Sequence, residues 1–442
     1  MAHIEPFRAV RYNSRLGDLS LMVSQPYDRV LYGLQEQYYA ASPYNVVRII
    51  RGKDLSTDVP DRLAGPNVYT RAQAYYELWL AEQVLIRDPT PAIYAYHQIF
   101  AVDGQTMTRK GFISALELSA FDAKIVLPHE RTHSGPKIDR LRLLRTLHVH
   151  TGQIFVLYPD PQNRITALLD KHTTTHPPDV DLTETFEKDV RQRLWVIAAP
   201  EIVRAVQAEM APKKHLIIAD GHHRYETALT YRDLMHEQYA SCGRAAFNYC
   251  MATLVSMDDP KLVILPTHRE VLDCPLSESE ILGRAAQAFT VFPAADMDDC
   301  LALMRAHESE HAFGFYAGGR YNVLVLQKDI SLDRWIDEDR PPTWKSLDVS
   351  IVHKILLEKL IGLSAQGLEE QTNLRYHRSP QLAVQNIDAG QGAFVLLLNS
   401  TRIDQVKACA EQGAPMPQKS TDFYPKMIAG LTMLPVGPTE HL

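Results

Sequence analysis

Asp220-Gly221-His222-His223-Arg224 sets a carboxylate, two imidazoles and a guanidinium side by side. Such groups transfer protons, hold metal ions or grip phosphate. They are a poor choice for packing a core, because burying each of them without a partner is costly. The run Leu216-Ile217-Ile218-Ala219 ahead of them is apolar and suits a buried strand, and Asp220-Gly221 is a turn dipeptide that ends it. Beyond the turn, Tyr225, Ala228, Leu229 and Met235 recur at helical spacing with charges between them. The stretch therefore predicts strand, tight turn, helix. The first amides of a helix set after such a turn favour an anion. A purely structural use stays open, since Asp is a good helix N-cap and an adjacent His pair in a loop is commonly solvated.

Three further segments are dense in the same chemistry. A short strand ending at Pro128 runs into a loop dense in ionisable groups, with His129, Glu130, Arg131, Thr132, His133, Lys137 and Arg140, after which helix resumes with Leu141, Leu144 and Leu147 on one side. A strand over Leu262–Leu265 ends in Pro266, Thr267, His268 and Arg269. Near the C-terminus, Lys419, Ser420, Thr421 and Lys426 crowd a proline-bounded loop. Lysine gives a point charge and the hydroxyls give donors, the groups that phosphate oxygens accept from. Each segment also has a bland reading as a salt-bridged or ordered surface turn. Three strand ends with polar clusters, before His129, His222 and His268, are expected to gather in one pocket, because strand ends are where sheet proteins with helical connections usually hold ligands.

Several chemistries find no support. GxGxxG and GxSxG are absent, and the C-terminal loop lacks the P-loop glycine spacing. The five cysteines are scattered with no CxxC, which argues against a disulfide framework or a thiolate zinc site and suits a reducing cytoplasm. A formal net charge of −7 without like-charge blocks speaks against nucleic acid and acidic membrane surfaces. No run approaches the length of a membrane span, and the first residues do not read as a signal peptide.

The elements that must position these groups read as α+β: a mixed β-sheet core with flanking helices, plus a second, smaller α+β domain. The expected division is 1–272 for the sheet domain with the three strand-end motifs, 273–412 for the second domain, and 413–442 for a segment returning to the site. Strands over Ile93–Phe100 and Phe112–Leu118 form a hairpin around Asp103-Gly104, and Phe313–Ala317 with Tyr321–Leu326 forms another around Gly318-Gly319. Arg109 and Lys110 are expected at a solvated strand edge. The Thr-, Pro- and Asp-rich stretch Pro159–Glu184 reads as a linker or excursion. Val349–Leu363 reads as a helix that Gly362 helps to end.

The stretch IADGHHRYETAL resembles the hallmark of a bacterial and archaeal family catalogued as domain of unknown function 1015. PFRAVRYN, SQPYD, SPYNVVR, LPHERTHSGPKIDR, ILPTHR, LDVSIVHKILLEKLIG and MPQKSTDFYPK resemble that family in the same order, over nearly the whole chain. By this likeness Pro26, Tyr27 and Asp28 line a site. More distantly, the strand-turn-helix with its DGHHR is similar to the nucleotide-phosphate motif of the ParB/sulfiredoxin superfamily, whose free-serine kinases carry a similar DGHH stretch. Histidines stand here where sulfiredoxins use cysteine, which counts against sulfiredoxin chemistry.

The resemblance implies a kinase-like phosphotransferase that moves phosphate between a nucleotide (ATP or ADP, with Mg²⁺) and a small hydroxyl metabolite, with serine or phosphoserine first among candidates. Phosphoryl transfer asks for charge stabilisation and positioning more than for a nucleophile. In that picture Gly221 and the next amides cradle phosphate, His222, His223 and Arg224 bind or neutralise it, Glu130 or Asp220 is the base or holds the metal, and Lys419 and Lys426 close over the phosphates. His129, Thr132, Lys137, Arg140, Thr267, His268, Arg269, Ser420 and Thr421 complete the expected binding set. The alternatives are a nucleotide- or metabolite-binding regulator without turnover, and a metal-dependent phosphohydrolase.

Overall fold

The structure, a computed structural model, describes residues 1–59, 65–130, 134–239, 244–369 and 372–442. Its fold is α+β. The chain divides into two compact units, the first formed by Met1–Pro128, Thr132–Leu262 and Pro425–Leu442, the second by His129–Arg131 and Val263–Tyr424.

The first unit is built on a mixed sheet. In chain order its strands are β1 (Ile4–Glu5), β2 (Ile93–Val102), β3 (Gln105–Glu117), β4 (Val126–Pro128), β5 (Ile154–Tyr158), β6 (Val180–Thr183), β7 (Arg191–Ile197), β8 (Leu216–Asp220) and β9 (Tyr249–Ser256). They lie in the order β4-β8-β5-β9-β3-β2-β7-β6, with β1 on β3. The pairs β4–β8 and β5–β9 are parallel and the other pairs antiparallel. Strand β9 is buried along its whole length, which suits its mostly apolar sequence on a strand covered on both faces. Two long helices matter for the site: α1 (Ser134–Leu147) and α2 (His222–Gln238), which pack on each other. Ile218, Val156 and Leu254 of the sheet meet Tyr225 and Ala228 of α2, and Val203, Val206 and Met210 of the helix Pro200–Met210, in one core. A second core gathers Tyr12, Ile49, Ile50 and Trp79 around Leu143 and Leu147 of α1.

The second unit has a six-stranded sheet of β10 (His268–Val271), β11 (Phe289–Ala294), β12 (Ala312–Ala317), β13 (Arg320–Leu326), β14 (Leu374–His377) and β15 (Phe394–Leu397), in the order β11-β13-β12-β15-β10-β14. All its pairs are antiparallel. The helices Met297–Ala306 and Pro380–Asp388 cover it through Cys300, Met304, Ala383 and Val384. Outside this sheet, Val263–Leu265 pairs with Asp422–Tyr424 of the tail.

Both expected hairpins are present. The first is tighter than its apolar residues alone suggest: β2 and β3 pair as far as Val102 and Gln105, and Asp103 and Gly104 both take positive φ in the two-residue turn. Three local expectations change. Pro159–Glu184 is structured: Arg164–Thr173 is a helix burying Ile165 and Leu169, and Val180–Thr183 is the edge strand β6. Its polar residues face outward from an edge, which a composition count reads as linker. Arg109 lies on an inner strand, only 1% exposed, with its guanidinium donating to the Gln98 side chain and the Pro425 carbonyl. Those oxygens make burial of the cation tolerable where an edge was expected. The helix over Val349–Leu363 starts as α-helix at Asp348–Ile351 and widens into a π-helix over Val352–Ile361, ending at Gly362 with φ +90°.

Candidate functional site

In the first unit the chain reaches the site along β8. The strand ends at Asp220 because Gly221 turns the backbone with φ +91°, a conformation that glycine adopts without strain. Gly221 is then the N-cap of α2, and it has no side chain to give to the helix amides. Asp220 does not cap the helix; its Oδ1 accepts from the Gly221 amide at 2.9 Å. Its Oδ2 faces two cations, Arg224 Nη2 and Lys426 Nζ, each at 3.8 Å.

Arg224 is the centre of this arrangement. A Cβ on Gly221 would come within 2.9 Å of its Nε and Nη2, and a Cβ on Gly152 within 3.0 Å of its Nη1. Two glycines therefore make the slot that holds the guanidinium. Arg224 Nε is buried with no hydrogen-bond partner among the described residues. So is the whole side-chain amide of Gln153, one residue beyond Gly152 and 1% exposed. A cleft of about 520 Å³ opens beside Arg224, lined also by Tyr27, Arg140, Thr151, Gly152 and Thr227.

The electrostatics follow from this packing. Burial pushes the Asp220 carboxyl up, but Lys426 first, then Arg224, His222 and Arg29, outweigh it and hold it at about 2. A carboxylate with so little affinity for protons is a weak general base at neutral pH. It suits orienting cations or sharing a metal ion. Tyr27 stacks under Arg140, whose guanidinium carbon lies 4.1 Å from the ring centroid, and burial raises its hydroxyl pKa. Arg140 is committed to the Asp139 carboxylate and the Ile50 carbonyl, and Lys137 to Glu226 at 2.7 Å. Their charge is therefore partly spent inside the protein. His222 is buried and His223 half-buried at the first turn of α2.

The other expected site residues lie in the second unit. His129 is fully buried; its Nε2 pairs with Thr421 Oγ1 at 2.7 Å, and Glu130 Oε1 accepts from the same hydroxyl at 3.4 Å. Arg269, 1% exposed, donates to the carbonyls of Thr267 and Lys419, the latter at 3.0 Å. Burial brings its pKa down to about 10. His268 opens strand β10 rather than standing in a loop: its Nδ1 accepts the Leu398 amide at 3.2 Å, and burial, then Arg269 and His377, push its pKa down to about 3. Ser420 is buried, and its carbonyl accepts from Thr401 Oγ1. Lys419 is exposed with φ +56°. Thr132 lies outside the described residues. So Lys137, Arg140, Asp220, Gly221, His222, His223, Arg224 and Lys426 belong to one unit, and His129, Glu130, Thr267, His268, Arg269, Lys419, Ser420 and Thr421 to the other. No group of three or more His, Cys, Asp or Glu side chains placed to hold a metal occurs among the described residues.

Thr151, Gly152 and Gln153 went unnoticed in the sequence. They carry no charge and sit in an unremarkable loop before β5; only the pairing of Phe155 with Asp220 brings that loop to the motif.

Residues 4–350 match the model of a family described as "Protein of unknown function (DUF1015)". No curated protein matches the sequence. Among solved structures, a free serine kinase in complex with AMP is similar at 12% identity, covering 72% of this chain and 90% of its own, with a TM-score of 0.35. A conserved hypothetical protein from Pyrococcus furiosus is similar at 11% identity, covering 72% and 94%, with a TM-score of 0.34. SbnI with a C-terminal truncation, from Staphylococcus aureus, is similar at 8% identity, covering 73% and 87%, with a TM-score of 0.35. No helix among the described residues is long and apolar enough to cross a membrane.

Proposed function

This chain belongs to the DUF1015 family, and we propose that it is a phosphotransferase whose first unit binds the phosphates of a nucleotide at the Asp220–Arg224 turn. The observation that carries this reading is the Arg224 slot: a guanidinium seated between two glycines, with a buried Nε lacking a partner among the described residues, beside a cleft of about 520 Å³. A guanidinium offers a fork of donors that matches phosphate oxygens, and a buried donor left without an acceptor costs about 1–3 kcal/mol. Lys426 adds a second positive charge on the same carboxylate. The α2 N-terminus, left without a side-chain cap, supports the same ligand through its amides and dipole.

Roles follow from residue chemistry. Gly221 lets the backbone approach phosphate. Arg224 and Lys426 neutralise it, and His222 and His223 contribute imidazoles, side chains able to donate and accept protons. Asp220 holds the two cations in place. It is one carboxylate, so a Mg²⁺ ion here would take most of its ligands from phosphate and water, as this ion commonly does. The metal would neutralise charge developing on the transferred group. Serine is the hydroxyl compound to test first, because the DGHH stretch is similar to that of free-serine kinases. The test is direct: ATP with serine, and ADP with phosphoserine, assayed for transferred phosphate with Mg²⁺ in wild type and Arg224→Ala. Transfer by wild type that falls at least about a hundredfold in the variant supports the reading. Nucleotide binding without transfer to any small hydroxyl compound would move the chain to the regulator class.

A further inference from the structure

The second unit contains a cleft of about 890 Å³ that the phosphate chemistry does not use. One wall is the π-helix Val352–Ile361, from which His353, Lys354 and Glu358 all face the cleft. Such helices are rare beyond a single turn and occur often at functional sites. Arg340, Trp344 and Tyr376 also line it, with Met416 and Pro417 of the tail.

Two polar atoms in this lining lack what burial demands. His353 is 7% exposed, yet its Nε2 is buried with no hydrogen-bond partner among the described residues. The Tyr376 hydroxyl is in the same state. Buried polar groups are almost always satisfied, so a pair of orphans on one cleft points to a ligand that satisfies them. The charges specify its class. Lys354 Nζ bridges Glu338 and Glu358 at 2.7 Å each, and Arg340 lies 3.9 Å from Glu338 with its guanidinium carbon 5.5 Å from the centre of the Trp344 ring. Two carboxylates thus face two cations, and their formal charges cancel. A polyanion such as a nucleotide gains nothing from a wall without net charge. A dipolar ion gains at both ends, its carboxylate toward Arg340 and its ammonium toward Glu338 and Glu358. Trp344, Leu368 and Met416 leave apolar surface for a side chain.

We infer that this cleft is a binding site for a free α-amino acid, separate from the phosphate site of the first unit. The inference stands whether or not phosphate is transferred there. The experiment is a calorimetric titration of the full chain with L-amino acids, with L-serine, L-leucine and L-phenylalanine as the first probes and putrescine and succinate as controls of a single charge sign. Wild type is expected to bind at least one amino acid and neither control. Tyr376→Phe removes only a hydroxyl without a protein partner, so it leaves the thermal midpoint unchanged or raised while weakening the amino acid roughly tenfold. Arg340→Gln is expected to weaken it at least as much. Arg224→Ala, in the other unit, leaves the affinity unchanged. The inference is overturned if no amino acid binds below 10 mM, if both cleft variants bind as wild type does, or if Arg224→Ala abolishes binding.

Discussion

Replacing Asp220 with Asn removes the carboxylate that Arg224 and Lys426 share, and its effect can be worked from the structure. The carboxyl is held at about 2 against an ordinary value of 3.8. At about 1.4 kcal/mol for each pH unit, that difference corresponds to roughly 2–3 kcal/mol of stability at pH 7. Coulomb's law gives a gross attraction of about 4 kcal/mol for each cation at this separation in a medium of intermediate dielectric, so the net figure implies that desolvation takes back most of it. The sign is fixed by the direction of the shift. A carboxylate depressed in the folded state stabilises fully above its unfolded pKa, near 3.8, and loses that contribution as pH falls through about 2. At pH 3 the contribution should be roughly half the neutral value, on the order of 1 kcal/mol. Urea unfolding of wild type and Asp220→Asn at pH 7 and pH 3 measures both numbers. If the two proteins unfold together at pH 7, or their gap is the same at both pH values, the charges around Asp220 do not hold it as described.

Other perturbations probe neighbouring parts. Gly221→Ala forces a Cβ to within 2.9 Å of the Arg224 guanidinium at φ +91°; it should cost at least about 1–2 kcal/mol in urea unfolding and weaken phosphate binding, whereas Gly319→Ala, with open space around its Cβ, should affect stability only. Lys426→Met removes the first of the charges holding Asp220 down, so the acid limb of the stability curve should move to higher pH. Glu184, bonded to Gln25 and Gln192, has its carboxyl raised to about 8, by burial first and then by Glu187. A raised carboxyl destabilises the fold increasingly as pH climbs from the ordinary value of 4.5 to about 8. Glu184→Gln should therefore gain stability over wild type across that range, by more than about 1 kcal/mol at pH 9, and an unchanged gap between pH 5 and pH 9 would contradict the assignment.

Much of the architecture was legible in the sequence because periodicity and turn chemistry announced it. The change from the apolar run Leu216–Ala219 to the helical spacing of Tyr225, Ala228 and Met235 marked β8 and α2, and the Asp-Gly and Gly-Gly pairs marked the two hairpins. Pro159–Glu184 was opaque because an edge strand and an amphipathic helix need few apolar residues. The π-helix was opaque for another reason: its apolar residues satisfy a helical pattern equally well, and the pattern does not report which amide bonds to which carbonyl. In the site, ionisable residues drew attention and neutral ones did not. Arg224 was visible from its type, but Gly152, which forms half of its slot, and Gln153, with its orphaned amide, come from a loop that only strand pairing brings near. A count of charges also does not report that Lys137 and Arg140 are paired with Glu226 and Asp139.

Calorimetric titration of ADP with Mg²⁺ into wild type and Arg224→Ala tests the phosphate slot most directly, with the urea midpoints of both proteins measured alongside. The expected result is one bound nucleotide in wild type and an affinity at least about tenfold weaker in the variant, whose unfolding midpoint falls with the loss of the Asp220 pairing but which stays folded in the absence of urea. Equal affinity in the two folded proteins, or no detectable heat from wild type at millimolar ADP, would contradict it.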